Sequence, residues 1–128
     1  MKQFPFLSTQ QWLKVLQVSI SLMMTAHGCI RIYAGTVDDF GGFLTSKGFP
    51  LGVTLAWGIT VFEILGGPTL AFNYFKKWIC AAFIIQLFMG IILVHAARGW
   101  FVVGYTVGGM EYSVLLILCF LLVASTEK

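Results

Sequence analysis

Residues 51–73 read LGVTLAWGITVFEILGGPTLAFN, an apolar run with a single carboxylate near its middle. A membrane-spanning helix needs about 20 consecutive, mostly apolar residues, so this stretch predicts a helix that crosses a bilayer. At 1.5 Å per residue, Glu63 would lie roughly 20 Å along that helix, near mid-membrane. An ionisable side chain at that depth is costly, rare and usually functional. The stretch therefore predicts both a membrane fold and a site within it.

The rest of the 128-residue chain has the same apolar character. Hydrophobic residues make up 59% of it and charged residues 10%, whereas a soluble domain carries about 25% charged residues. Three further apolar runs bring the predicted spans to approximately 12–34, 51–73, 78–98 and 110–125. We therefore expect a single domain over residues 1–128, an all-α integral membrane four-helix bundle in a lipid bilayer.

The first loop, residues 35–48, predicts an additional short helix. Residues 36–39 read TVDD, which has the spacing of a capping box with Asp in place of the usual Glu. The apolar residues that follow fall on one helical face: Phe40, Phe43 and Leu44. This pattern indicates an amphipathic helix at the membrane surface.

Prolines and glycines mark the second span. Pro50 is predicted to occupy its first turn, where the missing N–H would be unpaired in any case. Gly66-Gly67-Pro68 predicts a kink or a close helix contact just after Glu63.

Lysines and arginines beside the spans predict the orientation, because cytoplasmic flanks carry an excess of them. The amino end, the second loop and the carboxyl end carry Lys2, Lys14, Lys76, Lys77 and Lys128, and the other loops carry Arg31, Lys47 and Arg98. This excess predicts a multi-pass protein with both termini in the cytoplasm. The net charge of +3 is spread over loops without a basic stripe, so no nucleic-acid partner is expected.

Six ionisable residues lie inside or at the ends of the spans, and they form the predicted ligand-binding polar cluster: His27, Arg31, Glu63, His95, Arg98 and Glu111. Spacings of four and three residues place each His–Arg pair on one helix face. Five of the six are predicted at the outer ends of the spans, with Glu63 beneath them. With neutral imidazoles their charges sum to zero, so the set can pair internally. The members of this cluster that lie at helix ends can also have a purely structural role, because their side chains can reach the lipid headgroups.

Short motifs accompany these residues along nearly the whole chain. They are His27-Gly28, Arg31 and Gly35, then Phe43-Leu44 and Gly48-Phe49-Pro50, then Glu63-Ile64-Leu65-Gly66-Gly67, His95 and Gly109-Met110-Glu111-Tyr112. In these motifs the chain resembles the DoxX family of small bacterial membrane proteins. The resemblance implies a four-helix bundle in the bacterial cytoplasmic (inner) membrane. Some relatives are described as subunits of quinone-reactive enzymes, including thiosulfate- and quinol-linked oxidoreductases.

Three functions are compatible with these features. The first is a redox-associated inner-membrane subunit that binds a quinone-like amphiphile in an outer-leaflet polar pocket, with His27 or His95 donating to a carbonyl oxygen. The second is a non-catalytic scaffold or small-molecule transporter subunit, in which the polar cluster fixes the helix contacts. The third is a haem-binding bundle with His27 and His95 as axial ligands.

The redox function requires a source of electrons. The sequence contains no flavin fingerprint, iron–sulfur cysteine pattern or paired thiol. A redox role would therefore need a partner redox protein, and a homo-oligomer is the other assembly expected. The histidine and glutamate spacings match no short metal-ligand motif, so no metal site is predicted and no residue is assigned as catalytic.

Overall fold

The computed structural model describes residues 3–127, which form helices and loops without a strand. Its helices are α1 Thr9–Tyr33, α2 Val37–Ser46, α3 Gly52–Ala71, α4 Lys76–Gly90 and α5 Glu111–Ser125. Helix α4 continues into a π-helical turn, Ile91–His95, and a 3₁₀ turn, Ala96–Arg98. The predicted all-α membrane-type fold, including the short helix in the first loop, is confirmed. Lys2 and Lys128, which contributed to the predicted orientation, lie outside the described residues.

Three helical segments of the described chain are long and apolar enough to cross a membrane: Thr9–Tyr33, Gly52–Ala71 and Lys76–Arg98. Large apolar side chains on them remain exposed, such as Leu65 at 63% and Ile85 at 65%. Extensive exposed apolar surface is typical of contact with lipid. The chain is therefore a multi-pass membrane protein. Helix α5 has 15 residues, fewer than the roughly 20 of a full crossing, so the fourth crossing stays a prediction.

The chain divides into two compact units. The first comprises Ser21–Tyr74 and holds the second half of α1 together with α2 and α3. The second comprises the chain up to Ile20 and from Phe75 onward, with α4 and α5.

Glycines bring the helices of the first unit into close contact. A Cβ added at Gly28 would lie 2.9 Å from the carbonyl oxygen of Thr60, and one at Gly67 would lie 2.6 Å from that of Ser21. These contacts show that α1 and α3 run antiparallel, with backbones closer than other residues permit. The close helix contact predicted at Gly66-Gly67-Pro68 is thus confirmed.

Aromatic packing joins α4 and α5 in the second unit. Phe83 and Phe120 are both fully buried, and their ring centroids lie 5.3 Å apart. Lys76 Nζ donates a hydrogen bond of 2.9 Å to Thr126 Oγ1. This bond brings the start of α4 beside the end of α5, so these two helices are antiparallel.

The beginning of α1 differs from the prediction. It starts at Thr9 rather than at Trp12, because Ser8 and Gln11 form a reciprocal capping box. The backbone N–H of Ser8 donates to Gln11 Oε1 at 2.9 Å, and the N–H of Gln11 donates to Ser8 Oγ at 3.2 Å. These bonds satisfy donors that a helix start otherwise leaves unpaired.

Two further local predictions are wrong. Pro50 lies outside α3, which begins at Gly52 after Leu51 adopts a left-handed φ of 55°. Thr36 precedes α2 without a side-chain capping bond. Its hydroxyl instead donates to the Arg31 carbonyl at 3.3 Å and so satisfies a backbone acceptor in the last turn of α1.

Candidate functional site

A buried ion pair lies at the centre of the candidate site. Arg31, in the last turn of α1, places Nη1 2.6 Å from Oε1 of Glu63, near the middle of α3. The Glu63 side chain is 1% exposed and that of Arg31 is 20% exposed. Charges removed from water are tolerated only when they are closely paired and hydrogen-bonded. The two residues therefore depend on each other for their place in the fold.

Thr60 is a third member of the site and is not among the residues that the sequence predicts. Its hydroxyl donates to the Ala56 carbonyl at 2.7 Å and accepts from Arg31 Nη1 at 3.0 Å. Since a hydroxyl has only one hydrogen, the bond to Ala56 turns its lone pairs toward the guanidinium. The available signal was the spacing, because Thr60 precedes Glu63 by three residues and shares its helix face.

Helix α2 covers the guanidinium from another direction. The Arg31 guanidinium carbon lies 4.8 Å from the centroid of the Phe40 ring, a distance that allows a cation–π interaction. The short helix in the first loop therefore covers one side of the site.

Gly28 allows α1 to pack closely against α3 at the site, because a Cβ at that position would meet the Glu63 Cβ at 3.2 Å.

His27 precedes Arg31 by one helical turn and is exposed. Within residues 3–127 its imidazole makes no hydrogen bond. Arg31 has five N–H donors, and both of its side-chain bonds in that range use Nη1. In the described range the donors on Nε and Nη2 make no hydrogen bond, and the four-residue spacing puts His27 on the same face of α1.

The other three predicted site residues belong to the second unit. His95 Nδ1 lies 2.8 Å from the Gly108 carbonyl oxygen. A carbonyl only accepts, so Nδ1 carries the hydrogen and Nε2 of the neutral ring is free to accept. Arg98 and Glu111 are exposed and form no ion pair with each other in the described part of the chain. The Arg98 side chain lies against Gly108, where an added Cβ would meet Nη1 at 3.0 Å.

The structure thus joins Arg31 to Glu63 and places His27 one turn away. Because His27, Arg31 and Glu63 belong to one unit and His95, Arg98 and Glu111 to the other, the convergence of all six stays a prediction. The same holds for the haem hypothesis, which needs both histidines. Over residues 3–127 no group of three His, Cys, Asp or Glu side chains is close enough to hold a metal ion.

The family model described as DoxX matches residues 13–96, well over half of the chain. The protein belongs to the DoxX family. The resemblance drawn from the sequence motifs is therefore confirmed, and the match contains Arg31, Glu63 and both histidines. Neither a curated protein nor a solved structure matches this DoxX chain.

One prediction concerns the hydrogen bond of His95 in this DoxX protein. We expect His95→Leu to speed amide hydrogen exchange in the loop after α4, because the Gly108 carbonyl loses its side-chain donor. A hydrogen bond contributes about 0.5–1.5 kcal/mol net, so exchange should accelerate several-fold, up to about tenfold. His95→Asn keeps an N–H donor near the Nδ1 position and serves as the control. Equal exchange rates in both variants and the native protein would show that this bond does not hold the loop.

Proposed function

We propose that the protein is a redox-associated membrane subunit that binds the polar head of a quinone-like amphiphile at Arg31 and His27. The observation that supports it is the arginine itself. Glu63 and Thr60 hold one guanidinium nitrogen, the donors on Nε and Nη2 make no hydrogen bond in the described range, and the exposed His27 lies one helical turn away. Prearranged donors of this kind suit a ligand with carbonyl oxygens.

The charge of the site favours a neutral ligand. Glu63 neutralises Arg31 at 2.6 Å, so the pair as a whole offers hydrogen-bond donors without net charge. An anionic ligand would meet the field of the Glu63 carboxylate close behind the guanidinium. A quinone head group is neutral and has two carbonyl acceptors, which matches this donor set.

The small cavity in the first unit is too small to enclose such a ligand, and neither Arg31 nor His27 lines it. A cavity of about 90 Å³ lies at the corner of α1 and α2, and it is lined by Ile32, Gly35, Val37, Asp38 and Trp57. Enclosed ligand sites are larger, about 300–1,000 Å³. We therefore place the head group on the lipid-facing side of Arg31, with its apolar tail in the bilayer. Electron transfer would require a partner redox protein.

A non-catalytic scaffold is a second candidate, and one observation favours it. The carboxylate of Glu63 is almost fully buried against Arg31, as in an ion pair that fixes how two helices pack. The two candidates differ at His27, because a scaffold makes no use of an exposed imidazole.

The experiment compares two exposed positions on the same part of α1, His27→Leu and Ile30→Leu. Binding of a short-chain benzoquinone to the purified protein in detergent would be measured by calorimetric titration, and quinones co-purifying with the native protein would be extracted and identified. Loss of one hydrogen bond, about 0.5–1.5 kcal/mol, should raise Kd several-fold and up to about tenfold in His27→Leu. Ile30→Leu should bind as the native protein does.

Two outcomes contradict the proposal. If the native protein neither retains a quinone nor binds the benzoquinone saturably, it is not a quinone-binding subunit. If both variants bind with the native Kd, His27 has no part in the site and the scaffold function gains support.

A further inference from the structure

The loop between α4 and α5 is unusually apolar for a connection between helices. Residues 99–110 read GWFVVGYTVGGM and contain no charged residue. The most exposed of its large apolar side chains are Val103 at 75%, Tyr105 at 90% and Val107 at 74%. Trp100 and Phe101 are each 44% exposed. Loops that face water are normally rich in polar residues and do not present such a surface.

The same loop is also closed by its own hydrogen bonds. Four backbone N–H groups near its end donate to four carbonyl groups near its start, in the pairs Met110 to Gly99, Glu111 to Trp100, Gly109 to Phe101 and Gly108 to Val102, at 2.9–3.1 Å. The Thr106 hydroxyl donates to the Phe101 carbonyl at 2.7 Å. Backbone can enter the hydrocarbon core only where its polar groups are satisfied internally. These bonds satisfy the base of the loop, whereas in the described part of the chain the backbone N–H groups of residues 100–107 donate to no backbone carbonyl. The tip therefore suits the interfacial region of a bilayer, where water and headgroups can pair with it.

Helix α5 is too short to cross a membrane by itself. Its 15 residues extend about 22 Å at 1.5 Å per residue, whereas the hydrocarbon core is about 30 Å thick. The bond from Lys76 to Thr126 fixes the carboxyl end of α5 beside the start of α4, where two lysines mark the membrane surface. The missing length therefore falls at the other end of α5, where residues 99–110 precede it.

We propose that residues 99–110 form a loop that inserts into the interfacial region of the bilayer and extends the fourth crossing, with their apolar side chains at the boundary between headgroups and lipid chains and Arg98 at the headgroup level. The exposed apolar tip and the short helix both point to the same partner, the bilayer. Arg98, exposed directly before the loop, can extend its guanidinium to lipid phosphates. The proposal is independent of the quinone-binding function.

The first test measures whether water reaches the tip of the loop. A single thiol would be introduced by Val103→Cys in a chain whose Cys29, Cys80 and Cys119 are replaced by alanine, and labelled in liposomes with a membrane-impermeant maleimide. Lys47→Cys in the same background is the control, because two spans separate the loops and both then face the same side. We expect the control to label readily and the Val103→Cys thiol to stay largely unlabelled.

The second test identifies what covers the loop. Trp12, Trp57 and Trp78 would be replaced by phenylalanine so that Trp100 is the remaining tryptophan, and the protein placed in liposomes with brominated acyl chains. Contact with lipid should quench most of the Trp100 emission, and bromine near the headgroups should quench it more than bromine at the bilayer centre.

Two results would overturn the proposal. A thiol at the Val103→Cys position that labels as fast as the control would show that the loop lies in water. A protected thiol with unquenched Trp100 would show that a second copy or another protein covers it. Trp→Phe changes are conservative and Val103 is exposed. Because Cys80 is buried, the helical circular dichroism of the cysteine-free background is first matched to that of the native protein.

Discussion

Arg31→Met is expected to destabilise the protein by about 3–5 kcal/mol, because it leaves the Glu63 carboxylate buried without its counter-charge. The variant also removes the donor that Thr60 accepts at 3.0 Å. Methionine keeps the unbranched apolar part of the arginine side chain, so the loss reports mainly on the guanidinium, with its charge, its hydrogen bonds and its contact with Phe40. The free energy of unfolding in detergent, followed by helical circular dichroism, would measure it.

Two further variants make this result interpretable. Combining Arg31→Met with Glu63→Met removes both charges and should recover most of the lost stability, since replacing a whole buried pair by apolar residues is often neutral. Lys47→Met is the matched control for loss of a cation, because Lys47 is exposed and lies 5.5 Å from the Phe43 ring, where such contacts contribute roughly 0.5–1 kcal/mol. A cost for Arg31→Met no larger than that of Lys47→Met would show that the pair is not energetically isolated from water.

Gly67→Ala is expected to cost about 1–3 kcal/mol, the typical penalty for adding a methyl group where there is no space. The new Cβ would collide with Thr25 Oγ1 and lie 2.6 Å from the Ser21 carbonyl oxygen. The hydroxyl can rotate, but a backbone oxygen within α1 cannot move without shifting the helix. The same unfolding measurement would report the loss.

The matched control lies on the same helix. Gly58 has nothing within 4 Å of an added Cβ, so Gly58→Ala should be neutral or stabilising by up to about 1 kcal/mol through helix propensity alone. Equal effects of the two substitutions would mean that α1 and α3 do not meet as closely as the Gly67 contact requires.

The helices were predictable because apolar length is a strong signal in membrane segments. The run around Glu63 and the glycines after it indicated a crossing helix with a close contact, and α3 has both. The errors arose where local hydrogen bonding decides the boundary. The Ser8–Gln11 capping box lies outside the apolar run that defined the first span, and hydropathy does not detect it.

The charged residues of the site could be predicted from the sequence, whereas its uncharged residues could not. Arg31 and Glu63 are predictable because ionisable residues are rare in lipid. Thr60 was missed because a threonine within a helix commonly bonds to its own backbone, and it does so here while also accepting from Arg31. Phe40 is one of 12 phenylalanines, and only the packing of α2 distinguishes it from the others.

The pairing of Arg31 with Glu63 has a consequence for how the chain enters the membrane during synthesis. The two charges belong to successive spanning helices, so neither is neutralised until both helices have left the translocation machinery. The insertion penalty of an isolated charge is largest near a helix centre, about 2.5–3.5 kcal/mol for Asp, Lys or Arg, and of the two residues Glu63 lies near the middle of its helix. A hairpin of α1 and α3 that enters as one unit avoids much of this penalty, so the ion pair favours joint rather than stepwise insertion.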